Sequence, residues 1–182
     1  MTVGRFRECK RLSGFAGLRY DQVMPETAAN IPESLKTLAE DFAFLDRAER
    51  AELLIEFADK FREVPSSVAT RPFPRENHVE RCESDAYIWA EDLPDGTLKF
   101  HFAVENPQGL SAKSWAVVLD ETLSGAPLEQ VAGMPCDLVF DFYGKDLSMG
   151  KGQGLMGMAD MVTAYAKQRL KARNQPGPAV AC

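Results

Sequence analysis

The sequence lacks the features that mark several common classes of protein. In its 182 residues no apolar run approaches the ~20 residues of a membrane-spanning helix, so no membrane insertion is expected. Lys and Arg number 21 against 27 Asp and Glu, for a net charge of −6. Phosphate recognition needs a basic stripe, and none is visible outside the extreme N-terminus. We therefore predict no nucleic-acid partner.

Cysteine and histidine are also scarce. The four cysteines stand at positions 9, 82, 136 and 182, without the short paired spacings of zinc sites or redox pairs. Two histidines add too few ligands for a metal site, and four scattered cysteines do not make a disulfide scaffold. Behind the basic N-terminus there is no apolar segment of ~7–15 residues, so no secretory signal is expected. We predict a reducing, cytoplasmic location.

What is present suits one globular domain with loose ends. Hydrophobic residues make up 45% of the chain and charged residues 26%, which is typical of soluble globular proteins. Residues 1–30 are predicted to be a flexible extension, and residues 173–182 a flexible tail. The domain itself is predicted to span residues 31–172.

Hydrophobic periodicity predicts two helices over residues 31–64. Asp46 and Glu49 have the spacing of a capping box, and Leu54 and Phe57 continue an apolar face behind them. A hairpin follows, because residues 86–91 and 98–105 alternate around an Asp-Gly turn.

The segments after the hairpin differ in how clearly their sequence predicts a secondary structure. A helix is predicted over residues 111–123, and a long one after the glycine-rich stretch 150–154, which we interpret as a loop that starts that helix. Residues 138–143 prefer a strand by composition, whereas Pro135 opens a helix equally well. Periodicity alone leaves both readings open there.

The stretch from Asn77 to Trp89 carries the chemistry, since Cys82 closes a proline-rich loop directly before the hairpin. A thiol reacts as the thiolate, which a nearby cation favours and a nearby carboxylate disfavours. Arg81 and Glu83 flank Cys82 and act in opposite directions. Taken alone, Cys82 also fits a small buried hydrophobe, as Cys136 does in its apolar segment.

Two motifs resemble those of the SufE family. The first resembles the family's Asn-x-Val-x-Gly-Cys-x-Ser-x-Val-Trp stretch, and the second its Leu-Ser/Thr-Pro-Ser-Arg-x-x-Gly-Leu-x-x-Met stretch. In this chain they are Asn77-x-Val79-x-x-Cys82-x-Ser84 and Leu147-Ser148-x-x-Lys151-x-Gln153-Gly154-Leu155-x-x-Met158. Their spacing is similar too, and the resemblance covers about residues 31–170.

Three positions depart from the family's pattern. Arg81 replaces glycine, Tyr87 stands where tryptophan is usual, and Lys151 replaces arginine. The chain is therefore expected to be a divergent member.

The resemblance implies an α+β fold, with a small curved antiparallel sheet flanked by helices, and a helix over residues 135–144. It also implies that Cys82 accepts persulfide sulfur from a group II (SufS-like) cysteine desulfurase, stimulates that enzyme and passes the sulfur to an iron–sulfur scaffold. No resident cofactor is implied, only a transient persulfide on Cys82. The supporting or partner-binding residues are Asn77, Arg81, Glu83, Ser84, Lys151 and Gln153.

Two other hypotheses stay open at this point. The chain could be a non-catalytic module that binds and regulates a desulfurase, in which case Cys82 is dispensable. It could also be a redox sensor, in which case Cys82 reacts with peroxide without a sulfur donor.

Overall fold

The computed structural model describes residues 30–144 and 147–174, which form an α+β domain as predicted. Two short 3₁₀ turns, Arg75–Asn77 and Cys136–Leu138, join its main elements. In chain order these elements are α1 (Glu33–Phe44), α2 (Arg47–Asp59), β1 (Ala86–Asp92), β2 (Leu98–Val104), α3 (Leu110–Leu123), α4 (Leu128–Gly133), α5 (Val139–Tyr143) and α6 (Met149–Asn174). The predicted extension 1–30 and tail 173–182 fall almost wholly outside the described residues, as do Cys9 and Cys182.

Helix α2 begins with the predicted capping box. The Asp46 carboxylate accepts from the backbone N–H of Glu49 at 3.0 Å, and the Glu49 carboxylate accepts from that of Asp46 at 2.9 Å. The helix ends at Asp59, before the predicted limit at residue 64. Beyond that end the chain runs beside the hairpin, because the Val64 N–H donates to the Phe102 carbonyl at 2.7 Å.

The hairpin forms a two-stranded antiparallel sheet, with Ile88 opposite Phe102. Its turn is held by Asp95, whose carboxylate accepts from the Thr97 N–H at 2.9 Å. One face of the sheet is buried under helices, as the alternation predicts. Its most buried members are Ala86, Ile88, Leu98, Phe100 and Phe102.

Helix α3 lies at the centre of the domain, in contact with α2, β2 and α6. Its Trp115 and Leu119 are fully buried. The Trp115 indole N–H donates to the Leu155 carbonyl at 3.0 Å. This buried hydrogen bond fixes α6 against the central helix.

Residues 136–143 are helical, as the resemblance implies and against their residue preferences. Val139 and Phe142 are both fully buried, and a spacing of three places both on one side only in a helix. The Phe142 ring packs against the rings of Phe42 and Trp115, with centroids 4.9 and 5.3 Å away. Burial in this aromatic cluster outweighs local strand propensity.

The interpretation of residues 150–154 as a loop is wrong. Helix α6 begins at Met149, so these residues form its first turns. At its other end α6 is tied to the hairpin, where Arg169 Nε lies 2.7 Å from the Asp92 carboxylate and Arg173 donates to the Gly96 carbonyl. Within the described residues no helix is long and apolar enough to cross a membrane.

Candidate functional site

Cys82 lies at the corner between two consecutive tight turns. Its N–H donates to the Val79 carbonyl at 3.3 Å, and its carbonyl accepts from the Asp85 N–H at 3.1 Å. The loop is closed at its base by a 2.8 Å hydrogen bond from the Val79 N–H to the Ala86 carbonyl, at the start of β1. The backbone therefore presents residues 80–84 as a compact projection ahead of the hairpin.

One residue of this projection and the residue directly after it adopt the left-handed conformation. Arg81 has a φ of 63° and Asp85 a φ of 46°. For a residue with a side chain this conformation costs ~1–2 kcal/mol, whereas glycine adopts it readily. The glycine of the family's motif therefore suits this backbone, and Arg81 occupies the same turn under strain. Asp85 gains a partner, because its carboxylate lies 3.2 Å from His78 Nε2.

The projection rests on a glycine face of α6. Gly150, Gly154 and Gly157 lie on one side of the helix, spaced by four and three residues. A Cβ atom on Gly154 would lie 3.1 Å from the Cα of Cys82 and 3.4 Å from its Sγ. A Cβ on Gly157 would lie 3.0 Å from Val79 Cγ1, and one on Gly150 would meet the Glu83 carboxylate. The missing side chains let the loop backbone approach the helix closely.

Cys82 is a free thiol with only 8% of its surface exposed. The residues on both sides of it, Arg81 and Glu83, are exposed. Within the described residues no group of three His, Cys, Asp or Glu side chains has metal-binding geometry. The Cys82 sulfur is therefore sheltered in this structure, although its two sequence neighbours face solvent.

Asn77 anchors the base of the loop. Its Nδ2 donates to the Ile88 carbonyl at 2.8 Å and contacts the Tyr165 hydroxyl at 3.1 Å. The Tyr165 hydroxyl also donates to the Ile88 carbonyl, at 3.1 Å. Burial raises the pKa of Tyr165, which favours its neutral, hydrogen-bond-donating form, while the hydrogen bond from Asn77 opposes that shift. These three residues join the loop, β1 and α6.

The other predicted site residues surround the same feature. The Ser84 carbonyl accepts from the Asn106 N–H at 3.2 Å, which ties the loop to the chain after β2. Lys151 and Gln153 are both exposed and flank the glycine face on its two sides. Neither side chain forms a described hydrogen bond to the loop in the parts of the chain that the structure covers. The seven predicted residues thus fall into three groups. Cys82 is the buried thiol, and Asn77 and Ser84 form the loop frame that holds the loop in place. The exposed rim around the thiol consists of Arg81, Glu83, Lys151 and Gln153.

The sequence reasoning missed two contributors. Gly157 occupies an unspecified position of the second motif, and Tyr165 lies beyond that motif. A signal for Gly157 was available, because glycines at positions 150, 154 and 157 recur at helical spacing. Nothing local points to Tyr165, whose hydroxyl meets Asn77 across 88 residues of sequence.

Comparison with known proteins decides the family. The profile of the SufE, Fe-S metabolism associated domain matches residues 36–166, well over half of the chain. The chain belongs to the SufE family. Membership associates it with iron–sulfur metabolism and suggests a cysteine desulfurase as its partner in that metabolism.

Similar proteins agree with this assignment. Uncharacterized SufE-like proteins of Mycobacterium tuberculosis, from strains CDC 1551 and H37Rv, are each 25% identical to this chain over 146 residues. The match covers 79% of this chain and 95% of each relative. The solution structure of a hypothetical protein from Thermus thermophilus superposes with a TM-score of 0.64 at 24% identity. The superposition covers 78% of this chain and 98% of the Thermus chain, so the SufE-like fold extends over nearly the whole of that neighbour.

Proposed function

We propose that this SufE-family protein is a sulfur carrier. Cys82 accepts sulfane sulfur from a group II cysteine desulfurase, stimulates its turnover and delivers the sulfur to an iron–sulfur scaffold. The observation that carries the proposal is the position of Cys82. It is a free thiol on a strained two-turn projection that packs on the glycine face of α6. We place this activity in the cytoplasm, where thiols stay reduced.

The transfer step is a thiol–disulfide type exchange. The Cys82 thiolate attacks the terminal sulfur of the donor's persulfide, and a new S–S bond forms as the donor's S–S bond breaks. The donor leaves as a thiolate and takes up the proton that Cys82 released. Cys82 then carries the persulfide, so the carrier needs no external oxidant, reductant or resident cofactor.

Burial of the thiol supports a carrier over a peroxide sensor. Sensor cysteines are solvent-accessible, because the oxidant must reach the thiolate from bulk water. Cys82 is 8% exposed at rest, which shields a persulfide from small reductants until the loop moves. The described backbone hydrogen bonds of residues 80–84 lie within the loop's two turns, apart from the one that Ser84 accepts from Asn106. The left-handed strain at Arg81 lowers the cost of leaving α6.

The rim of the site supports a protein partner. Arg81, Glu83, Lys151 and Gln153 are exposed around the buried thiol, and charged rims govern the rate and selectivity of association. We assign them to contact with the desulfurase. Asn77 and Ser84 hold the loop frame.

The direct test weighs the protein after incubation with a cysteine desulfurase and cysteine. We expect an addition of about 32 Da per persulfide sulfur that disappears in Cys82→Ser and persists in Cys136→Ser. Cys136 is the matched control, since it is also a buried cysteine outside any disulfide. An addition retained in Cys82→Ser would overturn the proposal.

Turnover of the desulfurase tests the regulatory alternative. If Cys82 carries sulfur, Cys82→Ser binds the desulfurase but does not stimulate it. If the protein only regulates, Cys82→Ser stimulates turnover as well as the unmodified protein does. This arm needs no detection of persulfide, so it is independent of the mass measurement.

A further inference from the structure

A second site lies on the other side of α6 from Cys82. A cavity of 640 Å³ opens between α1, α2 and α5, and its apolar wall includes Leu54, Phe140 and Leu147. The last two approach the position of a Cβ on Gly152 to 3.7 Å. Gly152 lies about 200° around the helix from Gly154, which faces Cys82. The cavity is therefore separate from the thiol site, and its volume suits a small molecule.

Arg50 brings a guanidinium to the wall of this cavity. Its Nη2 donates to the Phe42 carbonyl at 3.1 Å and to the Leu45 carbonyl at 3.4 Å, at the end of α1. Its Nη1 lies 3.0 Å from the position of a Cβ on Gly144, which also lines the cavity, and it forms no described hydrogen bond within residues 30–144 and 147–174. Guanidinium N–H groups donate strong, charge-assisted hydrogen bonds to carboxylates. This Nη1 can therefore donate to an anion in the cavity.

Asp141 supplies the opposite charge. It is half-buried on α5 and lines the same cavity. Burial raises the pKa of Asp141, the nearby Asp137 raises it further, and Arg50 opposes the shift by charge alone, without a hydrogen bond between the two side chains. A cationic group placed beside Asp141 would offset both the burial and the repulsion from Asp137. Arg47 also lines the cavity and adds positive charge on the side of α2.

A guanidinium, a carboxylate and an apolar wall around one cavity match the three parts of an amino acid. We propose that the cavity binds a small apolar α-amino acid. Its carboxylate pairs with Arg50, its ammonium with Asp141, and its side chain packs against Leu54, Phe140 and Leu147. The pairing of carboxylate with guanidinium is among the stronger charge-assisted hydrogen bonds. This site uses none of the residues assigned to sulfur transfer.

The test is an NMR titration of the full chain with L-leucine and two analogues. Leucinol lacks the carboxylate, and 4-methylpentanoate lacks the ammonium group. We expect saturable shifts of the Ala51, Gly144 and Leu147 amides with leucine, and affinities at least about 10-fold weaker with either analogue. Absence of saturable shifts with leucine, or equal affinity for all three compounds, would overturn the proposal.

Variants then test the volume of the cavity and the charge pairing with Asp141 separately. Ala51→Leu fills the cavity and should abolish the shifts, whereas Ala48→Leu, at another exposed alanine of α2 outside the cavity, should preserve them. Asp141→Asn should remove the preference for leucine over 4-methylpentanoate while 4-methylpentanoate binding persists. An unchanged preference in Asp141→Asn, with the fold intact by its amide spectrum, would contradict the assigned orientation. Arg50 is left unsubstituted because it also holds the end of α1.

Discussion

Cys82 and Cys136 are nearly equally buried, at 8% and 9% exposed, and both lie outside disulfides. Their surroundings differ. Cys136 begins a 3₁₀ turn that leads into α5, and its thiol hydrogen-bonds the Asp160 carboxylate on α6. Cys82 lies on a projection that packs against the glycines of α6.

The two buried thiols differ in how much of the structure must move to expose them. Moving Cys136 would disturb a helical segment whose Phe142 ring is packed in the aromatic core. Moving Cys82 would lift residues 80–84 from the helix and leave the hairpin behind. Local openings that break few contacts cost much less free energy than those that open the core. Equal burial of two thiols therefore does not imply that exposing them costs the same free energy.

The largest expected effect is in the labelling of the two thiols under native conditions. In a protein with Cys9→Ser and Cys182→Ser, we expect a neutral alkylating reagent to label Cys82 at least about 100-fold faster than Cys136, because the loop opens locally. Peptide mass spectrometry at a series of times measures both rates. Similar rates would mean that the loop and the core open together.

Gly154→Val should loosen the loop selectively. The added side chain would meet the Cys82 backbone at 3.1 Å from its Cβ alone, and overpacking of this kind costs ~1–3 kcal/mol. We expect Cys82 labelling to rise about 10-fold while Cys136 labelling stays constant. Gly133→Val is the matched control, since a Cβ at this helical glycine has only the Asn30 carbonyl near, at 3.6 Å. If both variants accelerated Cys82 labelling equally, the packing of Cys82 on Gly154 would not be what protects its thiol.

Asn77→Ala tests the frame of the loop. Loss of the hydrogen bonds to the Ile88 carbonyl and the Tyr165 hydroxyl should lower the free energy of unfolding by about 1–2 kcal/mol, measured by urea denaturation. In a double-mutant cycle with Tyr165→Phe the two losses should not add, because the residues share partners. Strict additivity would show that Asn77 and Tyr165 act independently.

Arg81→Gly should give the smallest effect, and a stabilising one. Relief of the left-handed strain, ~1–2 kcal/mol, is offset by the greater freedom of glycine in the unfolded chain, ~0.4–1 kcal/mol. We expect a net gain of about 0.5 kcal/mol in urea denaturation and about 2-fold slower Cys82 labelling. Arg75→Gly, in a 3₁₀ turn without positive φ, should instead destabilise. A loss of stability in both variants would refute the strain at Arg81.

Local rules predicted the elements whose signals lie within a few residues. The capping box of α2 needs only Asp46 and Glu49, and the hairpin needs only alternation around an Asp-Gly turn. Segment 136–143 carries conflicting local signals, and its burial among distant aromatic rings decides the outcome. The family resemblance supplied that information where periodicity did not.

The site was predictable in part for the same reason. Motif spacing located Cys82 and the glycine-rich stretch, but glycine disfavours helices by ~1 kcal/mol per residue, so the stretch resembled a loop. Its helical state follows from contact with residues some 70 positions earlier in the chain. The strain at Arg81 depends on a backbone angle that no residue pattern reveals.

The hydrogen bond between Asn77 and Tyr165, which spans 88 residues, also sets an order of events during synthesis. At ~5–20 residues per second, roughly 4 to 18 seconds separate the appearance of these two side chains on the ribosome. For most of that interval Cys82, which follows Asn77 closely in the chain, exists without the helix against which it packs. The nascent chain therefore passes through a period in which the Cys82 sulfur is not covered by α6. Synthesis of α6, the last helix, ends that period.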